Sequence, residues 1–373
     1  MKRSNLVMKT ILKSFKRAYT YTKPSLIAIG IGLFIGLIIM LIFNPGEAFQ
    51  AMFTLIIGGF NGGLKGIGNM LYQAAPLILT GLAVAFAFKT GLFNIGASGQ
   101  MMIGAYVAIY VGVTFEFANG LHWVVGLLFG MMAGALWGLI PGLLKAISNV
   151  NEVVATIMLN YIAGHLLIFL IKTFTFNAGY SRSATIRTTA ELPKIDFLFP
   201  SSSANIGIFI AIGVAILAHI LIHRTTLGFE LRASGFSVAG SKFAGMNTKR
   251  NIIISMTIAG MFAGLAGATA YLVAGKTIGT VFAIFPEGFD GISVALLGLG
   301  EPLGALFAGI FLSNLRMGGY YMQIYGFVPQ ITDIITAVII YVTAVSVVLQ
   351  VILKRYGDQI KTWFAKRRVK EAK

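Results

Sequence analysis

The sequence predicts an all-α integral membrane protein of about ten transmembrane helices, some broken or re-entrant, with both ends on the inner side. Three observations predict it. Hydrophobic residues make up 57% of the 373 residues against 11% charged, and mean hydropathy is +0.84, a balance that no soluble globular class has. Apolar runs long enough to cross a hydrocarbon core of about 30 Å recur from residue 25 to residue 353. Lys and Arg gather in the two tails and in one mid-chain stretch, as segments held on the cytoplasmic side do. The formal charge of +17 would also suit a nucleic-acid binder, but this placement assigns it to inner loops, and no nucleic-acid partner is expected. The absence of cysteine excludes disulfides and thiolate metal sites.

In chain order, a cytoplasmic tail of residues 1–24 is basic, with Val7, Ile11, Phe15 and Tyr19 at four-residue spacing, the pattern of a helix lying on anionic lipid. The first span, 25–43, is followed by Asn44-Pro45 without a small-residue cleavage site, so it reads as uncleaved. Residues 44–70 hold a short apolar run and a Gly-rich string, read as a re-entrant or surface helix. The second span is 71–88, weakened by Pro76. The third ends near Val113, and the fourth covers 121–144. Glycines 126, 130, 134, 138 and 142 make a smooth ridge on that helix, suited to close packing inside one subunit or at a subunit face. The fifth span is 151–171, the sixth 205–222 and the seventh 251–273. A broken region leads into a short helix at 289–299, then spans at 302–315 and 331–353, and a basic tail at 354–373.

Charge orients this arrangement. Of the 29 Lys and Arg residues, 22 fall on the predicted inner side and seven on the outer, which places both termini and the loop 223–250 in the cytoplasm and 172–204 outside. Residues 25–353 then form one transmembrane domain.

Several stretches carry polar groups at membrane depth. In FNIGASGQ, residues 93–100, glycines interrupt helical regularity while Asn94, Ser98 and Gln100 offer amide and hydroxyl groups. A capped turn or an irregular wall of a polar path fits equally well. In NEVVATIMLNY, Glu152 suits a helix start, and Asn160 is either interhelical glue or a contact for a passing polar solute. Asp290 reads as a helix N-cap. His165 and His219 read as packing residues, and no metal site is expected. The string ending Gly275-Lys276-Thr277 lacks the first glycine and the preceding strand of a phosphate-binding loop, so no nucleotide site is expected. In the polar stretch 227–247, Ser237 suits an N-cap and Gly245 a left-handed helix end. A short helix at 237–244 lying across the membrane face competes there with a plain connecting loop.

Gly228, Leu231-Arg232-Ala233, Gly235 and the string from Phe243 to Asn247 resemble the coupling loop of ABC-importer permeases. GLFNIG, ATIMLNY and GFDGISVALLG carry the resemblance further, and the matching region runs from about 81 to 304. The family is the branched-chain amino acid, ribose and nucleoside permeases, and the strings are most similar to its nucleoside-type branch. Ser98 stands where the family commonly has Glu, and Ser237, Gly240 and Ser241 where it often has Asn and paired alanines. The resemblance implies a permease subunit without enzymatic activity in a bacterial cell membrane, passing nucleosides, or alternatively a simple sugar. It implies an ABC ATP-binding subunit that carries ATP and Mg, a second permease (a related chain or a copy), and an extracellular solute-binding lipoprotein. Leu231, Arg232, Ala233, Gly235, Ser237, Gly240, Phe243, Ala244 and Gly245 are the expected coupling residues. Asn94, Gln100, Asn160 and Asp290 are the candidates for the translocation path. A self-contained secondary transporter is the rival, disfavoured because the acids fall at predicted helix ends.

Overall fold

The computed structural model describes residues 25–118 and 120–345. The amphipathic pattern Val7, Ile11, Phe15, Tyr19 and the tail 354–373 lie outside the described residues. In chain order the helices are α1 (Ser25–Phe43), α2 (Ala48–Ile57), α3 (Gly63–Lys89), α4 (Ala97–Thr114), α5 (His122–Ser148) and α6 (Glu152–Leu170). There follow α7 (Gly207–Arg224), α8 (Thr226–Phe236), α9 (Val238–Phe243), α10 (Thr248–Tyr271), α11 (Pro286–Leu297), α12 (Pro302–Tyr321) and α13 (Gln330–Val345). Among the described residues the protein is all-α apart from one hairpin of two-residue strands, Phe176–Asn177 with Arg182–Ser183.

Among the described residues, seven segments are long and apolar enough to cross a bilayer, or eight when α11 and α12, bent by 120° to each other, count as one. That is fewer than the ten predicted, and the reason is length. The 12 residues of α11 make about 18 Å of helix, short of the roughly 30 Å core, and the described part of α13 is likewise below span length. Two further expectations are corrected. The Gly-rich string is not a separate surface element: a 3-10 turn, Gly58–Gly62, leads directly into α3. Residues 226–236 of the supposed loop are helical, as α8. Residues 172–204 fold back on the chain, with Ile186, Leu192 and Ile195 buried and Leu192 N–H donating to Leu272 O at 2.9 Å.

Of the described residues, 25–52 and 327–345 form one compact unit and 53–326 another. In the first, Gly32 and Gly36 of α1 lie so close to Ile339 and Ile335 of α13 that a Cβ on either glycine would collide.

The second unit is built around α3 and α10. α3 is buried along most of its length, as expected of a helix that is apolar all round, and packs against α7, α10, α11 and α12. α10 lies against α3, α4 and α5. Its contact with α5 uses the glycine ridge: Gly134 and Gly138 meet Gly260 and Gly264 backbone to backbone, with no room for a Cβ at any of the four. Lipid tails are as apolar as the helices, so close packing of small residues holds such a pair together. The ridge therefore serves packing inside the chain. Asn149, left-handed at φ 51°, ends α5. The Asn151 side chain then accepts from the Val153 and Val154 N–H groups to start α6, and Lys145 pairs with Glu152 at 3.0 Å across the turn.

Candidate functional site

The stretch between α7 and α10 is held by local rules at each step. Thr225 Oγ1 accepts from Gly228 N–H at 3.0 Å and starts α8. Leu231 is fully buried against Phe86 and Ile222. Ser234 accepts from the Asn251 amide at 3.0 Å. Gly235 lies on the backbone of Lys89 and Gly91, too close for a Cβ. Ser237 Oγ accepts from Gly240 N–H at 3.1 Å and caps α9, whose end turns at Gly245 with φ 79°. The short helix anticipated at 237–244 is present as α9.

The predicted coupling residues divide into two groups. Leu231 and Gly235 anchor α8 to the membrane helices, and Leu231, being buried, offers nothing to a partner. Gly240, Phe243 and Ala244 face outward. Phe236 and Phe243 are each 93% exposed, so two aromatic rings stand in water beside the exposed Gly240. Arg232 lines an open groove of about 850 Å³ together with Arg224, Phe229, Glu230, Arg250 and the turn at 244–247. Phe229 and Phe236 were missed at the sequence level. Their signal was available: a large apolar residue in a polar stretch with no helical partner at i+3 or i+4.

The residues proposed for a path divide differently. Asn94, Gln100 and Asn160 come together, but in the interior, at 0%, 1% and 1% exposure. The Asn94 and Gln100 amides donate to each other, at 2.9 and 3.2 Å. Asn160 Oδ1 accepts from Gly99 N–H at 2.8 Å, while its amide donates to Ile95 O at 3.0 Å. Ser98 donates to Phe285 O at 2.8 Å, tying the start of α4 to the start of α11. The irregular stretch is thus satisfied by protein, the first of the two routes open to it. Asp290 is elsewhere, and it is not the N-cap expected. The cap is Phe285, Pro286 opens α11, and Asp290 sits in the second turn, paired with Arg316 of α12. Asp290 and Arg316 are both partly exposed, a charged pair inside helices where the sequence reading had placed acids only at helix ends. His219 is not a lone histidine either, since its ring lies 4.6 Å from that of His223.

The profile of the family described as "Branched-chain amino acid transport system / permease component" matches residues 66–344. The chain belongs to this permease family. Among relatives, the guanosine ABC transporter permease protein NupP of Bacillus subtilis is 39% identical over 88% of this chain and 94% of its own. The nucleoside ABC transporter permease protein NupB of Lactococcus lactis subsp. cremoris is 36% identical over 88% of this chain and 92% of its own. A second guanosine permease protein of the same Bacillus, NupQ, is 27% identical over 74% of this chain and 89% of its own. No solved structure matches the chain. For this permease, a multi-pass membrane protein, α8 and α9 are the largest helical structure between two candidate spans that is too short and polar to cross.

Proposed function

We propose that the chain is one of two permease subunits of an ATP-driven importer of nucleosides in a bacterial cell membrane, coupled through α9 to a separate ATP-binding subunit. One observation carries the reading: NupP and NupB, named for guanosine and nucleosides, match at 39% and 36% identity along nearly the whole chain. The lower identity to NupQ favours pairing with a related second permease over pairing with itself. In this reading ATP and Mg belong to the partner, and an extracellular solute-binding lipoprotein delivers the solute.

The mechanism follows from what is rigid. Leu231, Ser234 and Gly235 fasten α8 to α3 and α10, so a force on α9 passes to the long helices without a slack loop between. Closure of the ATPase on ATP would select one of two packings of these helices, opening the path to one side at a time. On the inner side the chain presents the 223–250 stretch together with Lys89, Lys145 and the turn between α11 and α12.

Gly240→Trp tests the coupling. The glycine is exposed, and a Cβ there would meet only the Ser237 side chain, 3.2 Å from its Oγ, so a small shift of that side chain lets the variant insert and fold. The indole fills the docking cleft, and ATPase association falls by the roughly 2 kcal/mol of a lost hot spot, with guanosine uptake falling alongside. Pull-down in mild detergent and uptake into cells read the two. Full association with full uptake would remove α9 from the interface. Uptake that persists without any ATPase would favour a self-contained carrier.

A further inference from the structure

Beyond the docking surface, one cluster of side chains is left with unused chemistry. His219 and His223 stand one turn apart on the same face of α7, at the end that leads into α8. Glu301 faces them from the turn between α11 and α12. Its position is set by backbone: Leu299 and Gly300 are left-handed at φ 56° and 65°, and Gly300 N–H donates to Ala295 O at 2.8 Å. A positive φ at a leucine is strained, and this turn delivers the carboxylate to the α7 face. One oxygen of Glu301 accepts from His223 Nε2 at 2.8 Å, and the other pairs with Lys89 at the end of α3. His219 Nδ1 is shut off from solvent and has no hydrogen-bond partner. A nitrogen of each histidine and an oxygen of Glu301 lie within 4.8 Å of one another.

We propose that His219, His223 and Glu301 form a binding site for a divalent transition-metal ion of the zinc class. Two imidazoles and one carboxylate are the donor set such an ion takes, with a fourth position for water. Zn–N and Zn–O bonds of about 2.0–2.1 Å put tetrahedral ligands roughly 3.4 Å apart, so side-chain rotation alone closes the site. The ion replaces the proton shared by His223 and Glu301 and gives the orphaned His219 ring a partner. Lys89, on the second oxygen, orients the carboxylate as outer-shell partners do. Its charge also repels the ion, so the affinity belongs in the micromolar range, not the nanomolar. Entry is open, because His223 lines the same aqueous groove as Arg232 and Arg250. Mg and Ca, which require oxygen ligands, are excluded. A bound ion ties the end of α7 to the α11–α12 turn, one residue ahead of the helix that precedes the docking segment. This proposal departs from the expectation from sequence that the chain has no metal site.

The test uses the full-length chain, purified in mild detergent on a histidine-free tag and titrated with Co(II) as a spectroscopic substitute for zinc. One Co(II) per chain should bind with visible absorption and be displaced by Zn(II), and Zn(II) should raise the melting temperature. His223→Gln keeps a donor for Glu301 but loses the imidazole, so a site that is only a polar latch would leave the melting temperature in EDTA unchanged and show no cobalt band in any form of the protein. His223→Gln, His219→Gln and Glu301→Gln should each weaken Co(II) binding about tenfold or more, while His165→Gln, which alters a ring stacked on Phe282, should not. Absence of saturable Co(II) binding would overturn the site, as would an affinity unchanged in His223→Gln and Glu301→Gln.

Discussion

Asn160 uses both ends of its amide on backbone groups 61 and 65 residues away, the Gly99 N–H in the first turn of α4 and the Ile95 carbonyl just before it. Asn160→Ala would strand the Gly99 N–H and Ile95 carbonyl, at a cost of about 1–3 kcal/mol for each buried group. The expected outcome is a lower melting temperature and less protein in the membrane, with the KM of whatever transporter assembles unchanged; a raised KM at normal stability would instead make Asn160 a solute contact. Asp290 and Arg316 call for a different experiment. Removing one partner of a partly buried pair leaves the other charge uncompensated, so Asp290→Asn should destabilise more than Asp290→Asn combined with Arg316→Gln, and thermal unfolding of the set measures the coupling. These two cases also mark what was legible. Ser237 as a cap and Gly245 as a left-handed end were readable because both obey rules that act within three or four residues. The partner of Asp290 was not, because it lies on the next helix beyond a 120° bend, and no spacing rule reaches across it.

At the scale of single elements, the contact of α5 with α10 is the clearest case. A Cβ at Gly134 would collide with the Gly260 carbonyl and the Gly264 backbone, and backbone cannot swing aside as a flexible side chain does. Gly134→Ala should therefore cost at least the roughly 1–3 kcal/mol typical of overpacking, and Gly134→Leu should abolish the folded protein, read by size-exclusion profile and thermal unfolding. Most long helices were legible, because an apolar run of about 20 residues permits little else in a bilayer. Three elements were not. α8 is neither apolar enough for a span nor periodic enough to stand out, and its burial comes from a single leucine and two small residues that fit α3, α7 and α10. The hairpin at 176–183 is held by Ser183 N–H donating to Ile278 O at 2.8 Å, a partner remote in sequence. α11 begins three residues earlier than the expected 289 because Pro286 occupies the first helical position that proline favours.

For the molecule as a whole, sidedness is the property most open to test. The inner-side assignment rests on the distribution of 29 Lys and Arg residues and agrees with the pairing of Lys89, His223 and Glu301 at one end of three different elements. Since the chain has no cysteine, single cysteines report directly. Lys242→Cys should resist an impermeant thiol reagent in intact cells and react in inverted vesicles, while Phe197→Cys, in an exposed position between α6 and α7, should behave in the opposite way. Reversed labelling would invert the topology and remove α9 from the side where ATP is made. Ser241 is no substitute for Lys242 as a reporter, because it is buried. The glycine contacts have a further consequence for the gene. Any missense change in a glycine codon installs at least a methyl group, so every missense neighbour of the codons for 134, 138, 260 and 264 should destabilise the protein. A scan of all single substitutions would show them as two narrow bands of intolerance, one per helix, in register with each other and blind to whether the new residue is polar or apolar.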